Sequence, residues 1–480
     1  MLFNSIEFAL FLPVVFLLYW FAARGSFKLQ NIILLLSSYC FYGCWDYRFL
    51  FLLIFSTFLD YFTGLKIYDS EKNIKKFWFW LSIGVNLWFL AVFKYYNFFV
   101  VSFAESLLHL GVKVDLWTLK VILPVGISFY TFHGLSYVID IYNDKIKPER
   151  NFIHYSVFVC FFPLLVAGPI ERATHLLPQI LKKREFDYHK AVDGLRQILW
   201  GLFKKVVIAD NCANYVNHVF NDYQSLNAST LLLGAVLFTF QIYCDFSGYT
   251  DIALGTAKLF GIDLLRNFAF PYFSRDIAEF WRRWHISLTT WFRDYLYIPL
   301  GGSRANKWRV IRNTFIIFLV SGFWHGANWT FLFWGVYHAT LFMPLLIFQK
   351  NRKNTNNVAE GRLLPTVKEF FQICSTFLLV VVGWIIFRSE SITQAFGYLF
   401  KLFDKSLFSI PLLMNREYYI PLFVNILILI IVEWLQRNKK HGLEIESINS
   451  HAVKFCIYYV LIGFILWFGG SSETFIYFQF

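Results

Sequence analysis

Long apolar runs, separated by short polar or basic stretches, recur along the whole chain. Runs of about 20 residues with few charges are typical of α-helices that span a membrane. Twelve candidate segments are 2–22, 29–45, 48–66, 77–101, 121–142, 194–217, 229–260, 311–324, 327–349, 366–389, 417–435 and 452–470. Only His325 and Gly326 separate segments 311–324 and 327–349, which form either one tilted helix or two. The pattern therefore predicts about eleven to twelve membrane helices.

Two further regions differ from this pattern. Segment 153–171 is shorter and contains Ala167-Gly168-Pro169, which favours a re-entrant hairpin, because broken helices at membrane depth must be buried in protein or line a cavity. Residues 266–312 mix aromatic residues with many arginines and are too charged to span. Within them, residues 276–295 are predicted to form one amphipathic helix in the plane of the membrane interface, with Trp281, Trp284 and Leu288 on one side.

The composition agrees with a membrane protein. Hydrophobic residues make up 57% of the 480 residues and charged residues only 16%, whereas a soluble domain has about 25% charged residues. The mean hydropathy is +0.50. A soluble protein with a large core cannot accommodate so many uncharged runs. The chain is therefore predicted to be an all-α, polytopic integral membrane protein with a single membrane-embedded domain over residues 1–480.

The net charge of +13 comes from short basic clusters between the apolar runs. Such clusters are typical of cytoplasmic loops under the positive-inside rule and are attracted to anionic membrane lipids. No nucleic-acid partner is therefore predicted. Arg24 with Lys28, Lys72–Lys76 and Asp144–Arg150 follow the first, third and fifth predicted spans. This order predicts an N-terminus outside the cytoplasm.

His325 lies within Thr314–Phe348, a stretch without Asp, Glu, Lys or Arg. An ionisable residue in hydrocarbon is costly, so its default interpretation is functional, and His exchanges protons near neutral pH. The small neighbours of His325 leave room for a ligand, and Asn328 offers a hydrogen-bond partner. His133 and His338 also lie in apolar segments; a structural role is favoured for His338.

Trp281-Arg282-Arg283-Trp284-His285 places a second histidine beside two guanidinium groups. Arginines suit the phosphate groups of a cosubstrate such as a coenzyme A thioester, although a basic helix on anionic lipid explains them equally well. Arg293 extends the same basic surface. Asp245 and Asp251 could orient a histidine or arginine, but structural pairing is favoured. The seven scattered cysteines have no zinc-type spacing, so no metal is expected.

Several long motifs occur in one order along the chain. They are residues 124–132, 166–170, 241–251, 271–285, 291–304, 322–328 and 475–480. In these motifs the chain resembles the membrane-bound O-acyltransferase family, and within it the alginate O-acetylase branch. The resemblance covers nearly the whole chain and is strongest over residues 120–340, which would hold the catalytic core motifs.

The resemblance implies acyl transfer within a helical shell around a central tunnel that joins the two membrane faces. His325 matches the intramembrane histidine of the family and would be the general base. His285 matches a second polar position and, with Asn328, would polarise the reacting carbonyl. Acetyl-CoA, as a cosubstrate rather than a permanently bound cofactor, would bind at the cytoplasmic mouth. The residues expected near it are Arg282, Arg283, Trp284 and Arg293.

The expected acceptor is a hydroxyl on a membrane-anchored or periplasmic acetyltransferase partner in the inner membrane of a bacterium. That partner would pass the acetyl group to an exopolysaccharide or cell-wall glycan. An alternative within the family is D-alanyl transfer to teichoic acids from the phosphopantetheine of a carrier protein. Two alternatives from other classes are a transporter or flippase, for which the internal repeats are missing, and a non-catalytic scaffold.

Overall fold

The computed structural model describes residues 1–23, 25–112, 118–119, 123–165, 168–304, 306–412, 416–469 and 475–476. Every regular element within these residues is helical, which confirms the predicted all-α class. Arg24, Val166, Ala167 and the end of the terminal motif, residues 477–480, lie outside the described residues. The described residues form two compact units, whose boundaries fall within helices α10 and α12 and between Leu265 and Arg266.

Unit 1 comprises Met1–Ala191 and Thr256–Leu265. Its helices are α1 (Ile6–Leu17), α2 (Phe27–Gly43), α3 (Tyr47–Asp69), α4 (Lys72–Leu90), α5 (Tyr96–His109), α6 (Ile127–Tyr142), α7 (Phe152–Cys160), α8 (Phe162–Leu165) and α9 (Ala173–Ile180). Asp60 on α3 is buried and accepts hydrogen bonds from Ser82 Oγ at 2.7 Å and Asn86 Nδ2 at 2.8 Å, both on α4. Such polar contacts fix the register of apolar helices that have no hydrophobic preference for one another over lipid.

Unit 2 comprises Val192–Gly255 and Arg266–Phe480. Its helices are α10 (Tyr188–Leu202), α11 (Asp210–Asn221), α12 (Ala228–Leu259), α13 (Ile277–Arg283), α14 (Ile286–Phe292), α15 (Lys307–His325), α16 (Trp329–Ile347), α17 (Val367–Arg388), α18 (Ile392–Lys401), α19 (Arg416–Leu435) and α20 (His451–Phe468). A π-helical segment, Phe203–Ala209, joins α10 to α11, and another, Arg293–Tyr297, follows α14.

Six helical stretches among the described residues are long and apolar enough to cross a membrane. They are Tyr47–Asp69, Lys72–His109, Ala228–Leu259, Trp329–Ile347, Val367–Arg388 and His451–Phe468. Two shorter apolar helices are Ile6–Ala22 and Tyr419–Leu435. This number is below the eleven to twelve predicted from sequence, because several predicted segments form helices that are shorter or more polar than a full span. The chain is a multi-pass membrane protein.

Helices α15 and α16 form a tight hairpin. A Cβ atom added to Gly322 would lie 2.2 Å from the carbonyl oxygen of Phe331, and one added to Gly335 would lie 2.4 Å from that of Phe318. The two glycines therefore let the helix backbones touch, as small residues do between membrane helices. The sequence left open whether residues 311–349 form one helix or two; they form two, separated by Gly326–Asn328.

The prediction of one interfacial helix over residues 276–295 is wrong. α13 ends at Arg283 and α14 begins at Ile286, because Trp284 is extended, with φ −101° and ψ 129°, and His285 is left-handed, with φ 43° and ψ 54°. Neither conformation can continue a right-handed helix. Trp281, Trp284 and Leu288 are buried within the protein rather than inserted into an interface. Segment 153–171 is also interrupted, since α7 ends at Cys160 and α8 begins at Phe162. The apolar side chains of α7 and α8 from Tyr155 onward are buried.

Candidate active site

The turn between α15 and α16 carries His325. α15 ends at His325, and Asn328 is the N-cap of α16. The Asn328 side chain accepts a hydrogen bond from Thr330 N at 3.0 Å and donates one to the Glu390 carbonyl oxygen at 2.9 Å. Caps of this type fix where a helix begins. Asn328 therefore holds the turn that positions His325.

The His325 side chain is buried among aromatic rings. It is 5% exposed. Its ring centroid lies 4.9 Å from that of Trp324, 5.3 Å from that of Trp334 and 5.2 Å from that of Phe387, all at steep interplanar angles. Rings at these angles hold the imidazole by edge-to-face contacts. The imidazole is thus fixed in a surrounding of low polarity, where electrostatic interactions are stronger than in water.

His285 approaches the same aromatic group from the junction of α13 and α14. Its side chain is 1% exposed, and its ring centroid lies 4.7 Å from that of Phe246. It also lies 5.9 Å from the centroid of Trp324, the ring that contacts His325. The tertiary structure therefore brings the two predicted histidines against one indole, although they are far apart in sequence.

Asn267 holds the backbone on which His285 lies. Its carbonyl oxygen accepts a hydrogen bond from Ile286 N at 2.9 Å, and its side-chain oxygen accepts one from Ser287 Oγ at 2.5 Å. Its amide nitrogen donates to Thr250 Oγ1 at 3.5 Å. A left-handed residue costs free energy and persists only where its surroundings hold it. No local sequence pattern distinguishes Asn267, so the sequence does not predict this role.

Burial determines the charge of His285. Removal from solvent lowers the pKa of the His285 imidazole to about 3, because burial disfavours the charged form. His285 is therefore neutral near pH 7. A neutral imidazole carries one N–H donor and one acceptor, so it can donate a hydrogen bond to a carbonyl but supplies no positive charge.

Arg282 and Arg283 contact the loop that follows α16. Arg282 donates from Nη1 to the carbonyl oxygen of Asn351 at 2.7 Å and from Nη2 to that of Asn354 at 2.6 Å. Arg283 donates to Glu279 Oε1 at 2.9 Å and to Asn357 Oδ1 at 3.0 Å. Arg282 is exposed, whereas Arg283 is largely enclosed. Both arginines therefore tie this loop to α13, and Arg282 alone keeps an exposed surface.

Trp284 and Arg293 lie in contrasting places. Trp284 is 2% exposed, and its ring contacts those of Phe268 at 5.0 Å and Trp384 at 4.9 Å. It therefore forms part of the aromatic interior beneath His285. The Arg293 side chain is 58% exposed and donates from Nε to Asp294 Oδ1 at 2.8 Å. Arg293 therefore lies at the surface of the protein.

The two carboxylates singled out in the sequence pair with lysines, which confirms the favoured interpretation. Asp251 Oδ2 lies 2.6 Å from Lys204 Nζ, and Asp245 Oδ1 lies 2.7 Å from Lys205 Nζ. Beside Lys204 and Asp251 is a small polar cavity of about 20 Å³. That space suffices for about one water molecule. Each carboxylate is therefore paired with a buried lysine of the same unit.

Comparison with known proteins identifies relatives of this chain. The sequence model of MBOAT, the membrane-bound O-acyltransferase family, matches residues 147–383. A probable alginate O-acetylase of Pseudomonas putida is 40% identical over 84% of this chain and 81% of its own length. A peptidoglycan O-acetyltransferase of Helicobacter pylori is 32% identical over 100% of this chain and 98% of its own. A teichoic acid D-alanyltransferase of Bacillus subtilis is 28% identical over 55% of this chain and 69% of its own.

Proposed function

Because the chain belongs to the membrane-bound O-acyltransferase family and is a membrane O-acyltransferase, we propose that it moves acetyl groups from acetyl-CoA to a hydroxyl acceptor. The transferred acetyl group is used to O-acetylate an exopolysaccharide or a cell-wall glycan. The relatives that are 40% and 32% identical, named for alginate and for peptidoglycan, support acetyl as the group and a glycan as the final acceptor.

One observation carries the proposal for the site. His325 and His285 contact the same buried indole, Trp324, from separate elements of unit 2. Acyl transfer needs a base for the attacking hydroxyl and a donor for the oxygen that becomes negative. Two buried imidazoles that contact the Trp324 indole supply the base and the hydrogen-bond donor. His325 is the base, and the neutral His285 is the hydrogen-bond donor.

The proposed step conserves atoms and charge. His325 takes the proton of the acceptor hydroxyl while the oxygen of that hydroxyl attacks the thioester carbonyl carbon. The carbonyl oxygen becomes negative and accepts a hydrogen bond from His285. The C–S bond then breaks, and the His325 imidazolium returns its proton to the thiolate. An O-acetyl ester and free coenzyme A result, with His325 neutral again.

The donor is proposed to enter from the cytoplasmic side, where the exposed guanidinium groups of Arg282 and Arg293 meet its phosphates. Exposed arginines suit this task, since they bind phosphate in a planar, forked geometry. Arg283 and Trp284 act behind them, Arg283 through its ion pair with the buried Glu279 and Trp284 through the aromatic interior. Asn328 contributes by holding the turn after His325.

The acceptor is proposed to approach from the opposite membrane face, with the chain in a bacterial inner membrane and its N-terminus outside the cytoplasm. A membrane-anchored or periplasmic acetyltransferase partner presents the hydroxyl and passes the acetyl group to the polysaccharide. The basic loops after alternate predicted spans support this orientation.

Transfer of radiolabelled acetyl from acetyl-CoA in membranes tests the proposal. We expect His325→Ala to lower the transfer rate by about 10²–10⁴-fold, the usual contribution of a positioned base. Its thermal unfolding in detergent should stay close to that of the wild type. His451→Ala is the matched control, because His451 is exposed at the start of α20, and it should label normally. Equal labelling by wild type and His325→Ala would overturn the role of His325.

A second donor has specific support. The teichoic acid D-alanyltransferase relative is similar over 55% of this chain, so a carrier protein bearing a D-alanyl thioester is the alternative donor. The same membranes supplied with that carrier protein would decide between the two. Transfer from the carrier protein, with none from acetyl-CoA, would replace acetyl transfer by D-alanyl transfer.

A further inference from the structure

His338, on α16, is a buried imidazole to which the described part of the chain offers no hydrogen bond. Its side chain is 0% exposed, and neither ring nitrogen has a hydrogen-bond partner among the residues that the structure describes. Buried polar groups in folded proteins nearly always have such a partner, so each exception needs an explanation. The structural role that the sequence favoured for His338 does not explain this exception.

Other buried histidines of this chain differ in this respect. His441 Nε2 lies 3.0 Å from Asp193 Oδ1, and His133 Nε2 accepts a hydrogen bond from Glu171 N at 3.1 Å. Each of these imidazoles thus makes a contact that joins two segments of the fold. His338 makes no such contact within the described part of the chain, so its polar atoms do not hold the fold together.

The surroundings of His338 continue those of His325. The Trp334 ring lies 4.9 Å from His338 and 5.3 Å from His325, centroid to centroid, so one indole touches both imidazoles. The Trp281 ring lies 5.1 Å from His338. The indole nitrogens of Trp281 and Trp334 also lack a hydrogen-bond partner within the described residues. Three neighbouring side chains therefore have N–H groups that no described residue accepts.

A glycine stands beside the His338 ring. A Cβ atom added to Gly383 of α17 would lie 2.7 Å from His338 Nε2. Any larger residue there would press on this nitrogen. The imidazole also stacks on two uncharged rings, those of Phe280 at 6.4 Å and Phe318 at 6.5 Å between centroids.

We propose that His338, with the indole N–H groups of Trp334 and Trp281, binds the amide-bearing arm of the acyl donor. Neutral N–H donors among aromatic walls suit a slender, uncharged chain with carbonyl acceptors. The pantetheine arm has this chemistry, and coenzyme A and carrier proteins both supply it. Its amide oxygens accept the unused hydrogen bonds when the thioester lies near His325. This inference rests on the proposed function, because it concerns the donor of that reaction.

His338→Phe tests it, with transfer from acetyl-CoA and from S-acetyl-pantetheine as readouts. We expect KM to rise about five- to tenfold for both donors, the usual effect of losing one hydrogen bond. kcat should change little. Thermal stability should be kept or improved, since an apolar ring replaces an unsatisfied polar one of similar shape. His338→Gln keeps a donor and an acceptor and should recover part of the affinity.

His441→Phe is the matched control. It removes a buried imidazole that has a partner, so we expect lower thermal stability and an unchanged KM. A carrier protein loaded with acetyl, used as a third donor, identifies which source of the arm the enzyme accepts.

Three outcomes would overturn the inference. If His338→Phe transfers with the wild-type KM, the imidazole binds no donor and faces at most a water molecule. If KM rises for acetyl-CoA alone, the contact is with the nucleotide rather than the arm. Should His338→Phe fail to fold, an unchanged KM in Trp334→Phe, which removes an indole N–H of the same site, would count against the inference equally. Absence of transfer by the wild type from every donor would instead defeat the proposed function and the inference with it.

Discussion

Unit 2 contains two buried polar regions that are built in opposite ways. Around Lys204 and Lys205, buried charges are matched: Lys204 pairs with Asp251 at 2.6 Å, and Lys205 pairs with Asp210 and Asp245, each at 2.7 Å. Around His325, the neighbours are aromatic rings, and the nearby His338 keeps two ring nitrogens without a partner among the described residues.

The difference separates stability from chemistry. A buried charge is tolerated when its partner is present, and removing one member leaves the other uncompensated. A fully paired group, however, has no capacity left for a substrate. Neutral imidazoles cost less to bury than charges and keep capacity for a proton or a hydrogen bond. Substitutions in the lysine region should therefore affect folding, and substitutions in the histidine region should affect turnover.

The largest expected effect on stability is that of Lys205→Met. It leaves two buried carboxylates, Asp210 and Asp245, without their cation, which should lower the free energy of unfolding by about 3–5 kcal/mol. Thermal unfolding in detergent measures the loss, and transfer per folded molecule should stay near the wild-type value. Lys439→Met, whose side chain is 43% exposed, is the control and should unfold like the wild type. A normally stable Lys205→Met with impaired turnover would reverse the comparison.

Asn267→Ala should have a smaller effect, on turnover. It removes the contacts with Ser287 and Thr250 that hold the left-handed backbone at His285. Misplacement of a catalytic group by a fraction of an ångström costs about tenfold in kcat. KM for acetyl-CoA should be nearly unchanged, which distinguishes loss of positioning from loss of donor binding. Asn438→Ala, at an exposed loop residue, is the control. An unchanged kcat would mean that His285 needs no such support.

The smallest expected effect is that of Arg293→Ala. Its exposed guanidinium should contribute no more than about 1 kcal/mol, so KM for acetyl-CoA should rise at most about fivefold, and less at high salt. S-acetyl-pantetheine lacks the nucleotide phosphates, and its KM should not change. Arg48→Ala, at another exposed arginine, serves as the control. Equal increases for both donors would show that Arg293 does not meet the phosphates.

Local pattern predicted the helical regions well. Apolar runs long enough to span a membrane identify themselves, since the bilayer imposes length and composition on each segment. The prediction failed over residues 276–295, where the amphipathic period continues through His285 but the backbone does not. Asn267, which lies outside that segment, bonds Ile286 and Ser287 just after the break, so no window around His285 reveals this contact.

The sequence by itself determined that the chain is a multi-pass helical membrane protein and that His325 lies in an apolar, uncharged stretch. Both are properties of contiguous residues. Only the tertiary structure placed His285 and His325 against one indole and directed Arg282 and Arg283 to the loop after α16. It also distinguished His441, which bonds Asp193, from His338, which bonds no residue among those described. Such relations depend on which segments pack together, and packing among apolar helices is decided by shape and a few polar contacts that no local pattern encodes.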